Sequence, residues 1–211
     1  MPFRIRRSDG SVVPRAPAIG RPAAEDEPPP PPDPERLQAM RPLVEAERAR
    51  LLHGPVPGAR PTGFLVRFSA PCSGDPRDVL AKARAVLAAV DEATLSGWPP
   101  DHEWASRLPA WFVAECAPEQ SREAAEREME AHRALPCKDQ ALLAQTEKWS
   151  LLNWVFWFRP EERAWYWWDS AAPPDNRKVV VEVVAEGSPI ASGALDWLLR
   201  ASGSGPIDES E

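Results

Sequence analysis

The tryptophans are the residues of this chain whose type and spacing point most directly to chemistry. Six of the ten lie between residues 149 and 168, and Trp165, Trp167 and Trp168 stand just before Asp169. Flat aromatic faces beside a carboxylate can stack on a sugar or surround a cation. Core packing is indicated instead for the tryptophans at helical spacing, Trp149, Trp154 and Trp157.

The aromatic strand predicted over residues 164–169 has two interpretations, as core or as binding surface. Only one of its faces can meet the core unless helices cover both sides, and an exposed aromatic patch usually marks a partner surface. We favour core packing for most tryptophans and keep open a surface formed by two or more of them. The candidate binding residues are Trp165, Trp167, Trp168 and Asp169, with Trp104 beside the polar run Asp101-His102-Glu103.

Cys72 and Arg77 frame a polar loop between a predicted strand and a predicted helix. Cysteine-dependent phosphatases place their loop in this context, because helix-end amides bind phosphate and lower the pKa of the thiol. That loop needs five residues between cysteine and arginine, whereas this chain has four. Pro76 also removes an amide donor, and two nearby aspartates would repel phosphate. We therefore predict a capped strand–helix connection with an incidental cysteine.

A zinc site has little support in the sequence. Cys116, His132 and Cys137 could in principle join His102 or His53, but no two of them are closer than five positions. Structural zinc sites usually take their ligands in close pairs. The usual nucleotide, metalloprotease and acyl-transfer motifs are missing as well. We predict no metal and no cofactor, and no residue is assigned a catalytic role.

Composition separates a short basic segment from an acidic body. Residues 1–21 contain five arginines and one aspartate, so they carry +4 of a net charge of −7, and the rest carries −11. An acidic body disfavours binding to nucleic acid or to anionic membrane. The 211 residues, 43% of them hydrophobic, suffice for one core, and no window is apolar enough to span a bilayer.

The cellular setting is predicted from residue usage. Three cysteines and no early apolar stretch favour the cytoplasm over secretion. A ratio of 21 arginines to four lysines is typical of a GC-rich bacterial coding sequence.

Residues 1–34, called the N-terminal arm below, are predicted to be a flexible basic arm followed by a proline-rich linker. Short apolar runs on either side of Asp9-Gly10 predict a small hairpin. Pro28–Pro32 predicts an extended polyproline II segment that acts as a spacer, with a ligand for an aromatic groove as the alternative. Because a lone hairpin is marginal in water, it would need to dock on the body or on a partner. Phe3 and Ile5 are therefore candidate binding residues that could add a strand to a sheet edge.

Residues 35–202 are predicted to form a single α+β domain, and residues 203–211 a polar tail. Asp33-Pro34 predicts a helix start, with Pro42 predicting a kink or a later start. Leu37, Met40, Val44, Glu47 and Leu51 follow at helical spacing, and four of these five are apolar. The strongest helix signal runs from Pro76 to about Leu95, with Asp75 as its cap and Gly97 as its stop.

Further helices are predicted over 110–116, 118–134, 139–158 (re-capped at Ser150) and 192–200. Strands are predicted over 63–69, 164–169 and 178–185. Because this order does not alternate as βαβ units do, we expect a small antiparallel sheet of about three strands covered by several helices.

These features favour a non-enzymatic protein–protein interaction module, such as an adaptor, an assembly subunit or an inhibitor. It would use the N-terminal arm and a tryptophan-rich surface to bind another protein. One alternative is a small enzyme or ligand-binding domain with a tryptophan-lined pocket, whose polar groups would be Asp169, Glu162, His102 or Cys116. A second is weak nucleic-acid binding through Arg4, Arg6 and Arg7.

Overall fold

The computed structural model describes residues 5–6, 12–13, 30–174, 177–185, 187 and 190–210. These residues form eight α-helices and a four-stranded antiparallel sheet, which confirms the expected α+β class with a small sheet. The strands are β1 (Ile5–Arg6), β2 (Val12–Val13), β3 (Phe64–Pro71), β4 (Trp165–Ala171), β5 (Lys178–Ala185) and β6 (Asp208–Ser210). The helices are α1 (Pro34–His53), α2 (Pro76–Leu95), α3 (Trp104–Arg107), α4 (Ala110–Glu115), α5 (Arg122–Ala134), α6 (Cys137–Thr146), α7 (Leu151–Phe156) and α8 (Gly193–Ala201).

The main sheet has the strand order β4-β5-β3-β6, and all neighbouring strands are antiparallel. β5 pairs with β3 along its whole length and with β4 on its other side, where a bulge lies between Trp167 and Asp169. β6 covers only Arg67–Ser69 of β3. The expected hairpin of the N-terminal arm is present as the pairing of β1 with β2.

Local signals explain where the two long helices begin. Asp75 accepts a 2.9 Å hydrogen bond from the Arg77 N–H at the start of α2, and Asp33 caps α1 in the same way. Both helices have proline at their first position, where no N–H is needed. α1 begins at Pro34 and continues past Pro42, so the expected late start is wrong. The ring of Pro42 is exposed, while Met40 and Val44 on either side of it are buried and hold the helix in place.

The main core lies between one face of the sheet and helices α2, α3, α4, α7 and α8. β5 shows the expected alternation, because Val179, Val181 and Val183 are fully buried and the residues between them are half-buried. A smaller cluster of Met40, Val44 and Tyr166 joins α1 to β4. α2 therefore packs against the inner face of the sheet, and α1 packs against its β4 edge.

The fourth strand was not predicted. Residues 203–211 were expected as a polar tail, but Asp208–Ser210 forms β6 and pairs with β3. Ile207 is buried just before it, and its N–H donates to the Asp196 carboxylate on α8 at 2.9 Å. Among the described residues, the helices are all too short or too polar to cross a membrane.

Candidate functional site

Three of the candidate tryptophans lie in the core. Trp165 pairs with Ala185, and Trp167 pairs with Val183, so both side chains project from the helix-covered face of the sheet. Trp104 is fully buried and packs edge-on against Trp98, with ring centroids 4.9 Å apart. Trp165 and Trp167 are therefore too deeply buried to form an exposed platform with Trp168, and Trp104 is not a surface residue. Helices cover the face from which they project.

Trp168 and Asp169 are the members of the aromatic strand that reach solvent, because the bulge in β4 turns the chain at this point. The Arg50 guanidinium lies over the Trp168 ring, 5.0 Å from its centroid. Asp169 accepts a 2.7 Å hydrogen bond from the N–H of Ser170. A cation already occupies this aromatic face, and it comes from the protein itself. Phe3 lies outside the described residues, and Ile5 is described only as backbone in β1.

The polar groups proposed for an alternative tryptophan-lined pocket lie on different elements. Asp169 is on β4, His102 is in a 3-10 turn, Cys116 follows α4 and Glu162 precedes β4. Within the described part of the chain, no hydrogen bond or ion pair joins any two of these side chains.

The loop from Cys72 to Arg77 forms the capped connection that the sequence predicts. Burial raises the pKa of the Cys72 thiol, which is the opposite of what a nucleophilic cysteine needs. Arg177 donates to the Ser73 carbonyl and so closes the loop. An open cavity of about 340 Å³ adjoins it, lined among others by Gly74, Asp75 and Arg177.

The second described cysteine is equally unsuited to nucleophilic chemistry. Burial raises the pKa of Cys116 to about 11. Across the residues that the structure describes, no three histidine, cysteine or acidic side chains are arranged to hold a metal ion.

A buried ionic cluster of Glu47, Asp91 and Arg163 joins α1, α2 and the start of β4. Arg163 bonds to the Glu47 carboxylate, and its Nη1 lies 3.4 Å from Asp91 Oδ1. All three side chains are essentially inaccessible to water. Burial raises the pKa of Asp91 to about 9; the charge of Glu47 adds to this effect and Arg163 opposes it. The raised pKa favours the protonated form of Asp91 at neutral pH.

α1 closes the outer edge of the sheet at β4. The N–H of Trp167 donates to Glu47 Oε1 at 2.5 Å, and the Trp167 carbonyl accepts from Arg50 Nε at 2.9 Å. Both main-chain groups of Trp167 thus point away from β5 and are bonded by side chains of α1. Because these outward main-chain groups are already hydrogen-bonded, they are not free to pair with another strand.

The opposite edge of the sheet is only partly closed. Because Trp167 points away from β5, the antiparallel alternation makes Tyr166 and Val184 the pair that exchanges main-chain hydrogen bonds. Val184 therefore points away from β3, and its partner Leu65 directs its N–H and carbonyl away from β5. Arg67 and Ser69 point the same way and face β6. β6 reaches only Arg67, so the described residues provide no strand opposite Leu65.

The side chains at this position are exposed as well as the backbone. Phe64 is 65% exposed and Leu65 is 45% exposed, which is unusual for large apolar residues of a sheet. Further along the same side of β3, β6 exposes two acids, Glu209 opposite Phe68 and Asp208 opposite Ser69. We call the unpaired segment Phe64–Val66 the open β3 edge.

Two of these features were not anticipated. Glu47 carried a signal, because it is the one polar residue in an apolar helical stripe, and such a residue is buried with a partner. Arg163 and the open β3 edge carried no such signal, because both depend on the order of the strands and on which residues they pair with.

Comparisons of the chain with protein families, with curated proteins and with solved structures found no match. The assignment of function therefore has to come from the geometry described above.

Proposed function

We propose that this protein is a protein–protein interaction module that binds an extended segment of another protein along the open β3 edge. The observation that carries the proposal is the orientation of Leu65, whose N–H and carbonyl point away from β5 into a lane where the described residues place no strand. An added strand would satisfy both groups, and the exposed side chains of Phe64 and Leu65 would give it apolar contacts.

The contrast between the two sheet edges supports a binding role for this one. The edge at β4 is sealed by Glu47 and Arg50, and natural proteins close such edges to avoid unwanted strand pairing. The edge at β3 keeps two large apolar side chains in solvent instead. The proposed partner presents an extended segment with basic residues, because residues 22–211 carry a net charge of −11 and β6 exposes Asp208 and Glu209 in the same lane.

The proposed setting is the bacterial cytoplasm, and the two described cysteines are unpaired, in keeping with a reducing compartment. Fractionation of the host cells followed by immunodetection of the full chain tests this part of the proposal. Recovery with the periplasmic or secreted fraction would contradict it.

The binding role is tested by a photo-crosslinking residue, p-benzoylphenylalanine, placed at position 65 of the full chain in its host cells. Position 52 on α1 is the matched control, because Leu52 is also a leucine and is 57% exposed. We expect an adduct to a specific protein from position 65 that is absent from position 52. The same adducts from both positions, or none from position 65, would overturn the proposal.

A proline substitution tests whether main-chain pairing is the basis of binding. L65P removes the N–H that points into the open lane and spares every hydrogen bond between β3 and β5. It also favours an extended conformation at Phe64, which that residue already has in β3. We expect L65P to melt near the wild-type temperature and to lose the captured partner. Retention of the partner at full strength would exclude strand addition.

A further inference from the structure

We infer that the side chains of Arg159 and Glu161 form a recognition site for a proline-rich extended segment, and that its ligand is the chain's own Pro30–Asp33. We call these four residues the proline strap. The strap is followed directly by α1, and its docking sets where that helix begins. The site shares no residue with the open β3 edge and does not depend on what binds there.

The strap is held through its main chain by both side chains. The Pro30 carbonyl accepts from Arg159 Nη2 at 2.6 Å, and the Asp33 N–H donates to Glu161 Oε1 at 3.0 Å. The second carboxylate oxygen of Glu161, Oε2, lies 3.6 Å from Arg159 Nε. These groups therefore form a closed ring of contacts, with the strap on one side and an ion pair on the other.

The two side chains match the chemistry of the end of a proline tract. Residues 28–32 are all proline, so this run offers carbonyl acceptors and no N–H donor. Arg159 supplies a donor to one of these carbonyls, and Glu161 supplies an acceptor to the N–H of Asp33, the first that follows the tract. Because an extended proline segment makes no hydrogen bonds within itself, its main-chain groups are free to be bound by a site.

The site encloses its ligand. The side chain of Arg159 is 10% exposed and that of Glu161 is 27% exposed. Pro32 is buried, whereas Pro31 in the same tract is exposed. A buried guanidinium needs acceptors, and the strap provides one of them. Since proline fixes φ before docking, the strap loses less conformational entropy on binding than a flexible segment would.

A tight turn presents the site. The N–H groups of Glu162 and Arg163 both donate to the Arg159 carbonyl, at 3.0 and 2.9 Å. Phe158, just before this turn, is 1% exposed and lies in the main core. At the end of the turn, Arg163 bonds to Glu47 of α1. The same turn therefore holds α1 at two points, just before its first residue and further along its length.

The strap explains why α1 begins at Pro34 although the helix contains Pro42. Proline lacks an N–H, so the Gln38 carbonyl loses its helical partner, and the residue before a proline is biased away from helix. No residue of α1 before Met40 is buried, so packing gives the first turn little support. The cap and the N–H contact of Asp33 fix this end of the helix instead.

Hydrogen exchange of the amides of Leu37–Arg41, measured by mass spectrometry on the full chain, tests the site. E161A removes the acceptor of the Asp33 N–H at a partly exposed position, and it should speed this exchange about tenfold or more. E162A is the matched control, because Glu162 is the next residue and lies outside the ring of contacts; it should change the rate less than about twofold. Exchange of residues 44–53 should keep the wild-type rate in both variants.

Substitutions in the proline tract test the chemistry of the ligand. P32A removes the buried ring, whereas P31A makes the same change at an exposed proline. We expect P32A to speed the exchange of Leu37–Arg41 several-fold and P31A to leave it near the wild-type rate. Replacing residues 28–32 by Gly-Ser-Gly-Ser-Gly keeps the carbonyls and the N–H of Asp33. This variant should also exchange several-fold faster, because a flexible segment loses more entropy when it docks.

Each contrary result has a distinct meaning. Equal exchange in E161A and E162A, or faster exchange throughout α1 in E161A, would overturn a site that fixes the start of the helix. Equal exchange in P31A and P32A, or wild-type exchange in the Gly-Ser variant, would overturn the proline-rich ligand. The wild-type rates should not change on tenfold dilution. Faster exchange on dilution would mean that the strap of a second copy occupies the site, and the assignment to the same chain would be wrong.

Discussion

Replacing Asp91 by asparagine should remove one specific part of the pH dependence of stability. In the folded protein, burial beside Glu47 raises the pKa of Asp91 to about 9, while an unfolded aspartate titrates near about 3.9. Between these values the folded state holds one proton more than the unfolded state. The free energy of unfolding therefore falls as pH rises, by about 1.4 kcal/mol per pH unit from this group. The contribution is fully present below the unfolded pKa and is lost by the time pH passes the folded one.

From pH 6 to pH 8 the wild type should lose about 2–3 kcal/mol of stability that D91N keeps. For a domain of this size, the Tm of the wild type should therefore fall by about 5–11 °C more than the Tm of D91N between pH 6 and pH 8. The assay is urea unfolding at several pH values for the wild type, D91N and E92Q. E92Q is the control, because Glu92 is the next residue of α2 and its side chain is exposed beside Arg48. Equal pH slopes for the wild type and D91N would refute the argument that Asp91 is held protonated.

The remaining predictions concern packing around the sheet. E47A should lower the free energy of unfolding by about 3–5 kcal/mol, because Arg163 and the N–H of Trp167 both lose their partner. E47Q keeps a hydrogen-bond acceptor, so its stability should fall between those of E47A and the wild type. Equal stabilities of E47A and E47Q in urea titrations would contradict this. W154F should be about 1 kcal/mol more destabilising than W104F. The Trp154 indole donates to the Ala194 carbonyl at 2.9 Å, whereas the buried Trp104 indole has no acceptor among the described residues. Equal decreases in Tm for the two variants would refute this prediction. G63A should destabilise by about 1–3 kcal/mol, because its Cβ would lie 2.7 Å from the Ala185 oxygen, whereas G74A has open space and should change stability by less than about 0.5 kcal/mol.

Most of the helix and strand positions could be predicted from local sequence. Asp75 and Pro76 start α2 through a cap and a fixed φ, and both effects act within one turn. The valines of Lys178–Ala185 alternate with the period of a strand, and β5 has those bounds. β6 escaped prediction because Asp208-Glu209-Ser210 has low strand propensity, and its pairing with β3 is fixed by a partner more than a hundred residues away.

The candidate site was less accessible to sequence reasoning than the fold. The sequence favoured core packing for most tryptophans without showing which ones, and helices cover the face from which Trp165 and Trp167 project. Which edge of a sheet is open depends on the order of the strands and on the side chains of α1. Leu65 looks like an ordinary strand residue in the sequence. Only the register with Val184 shows that its main-chain groups point outward.

The most direct test of the central claim is the ratio of crosslinked adducts from position 65 to those from position 52 of the full chain in host cells. If the open β3 edge binds partners, position 65 should give one dominant adduct in at least about tenfold excess, with the crosslink in an extended basic segment of the partner. A ratio near one, or a crosslink in a helical surface of the partner, would contradict binding by strand addition.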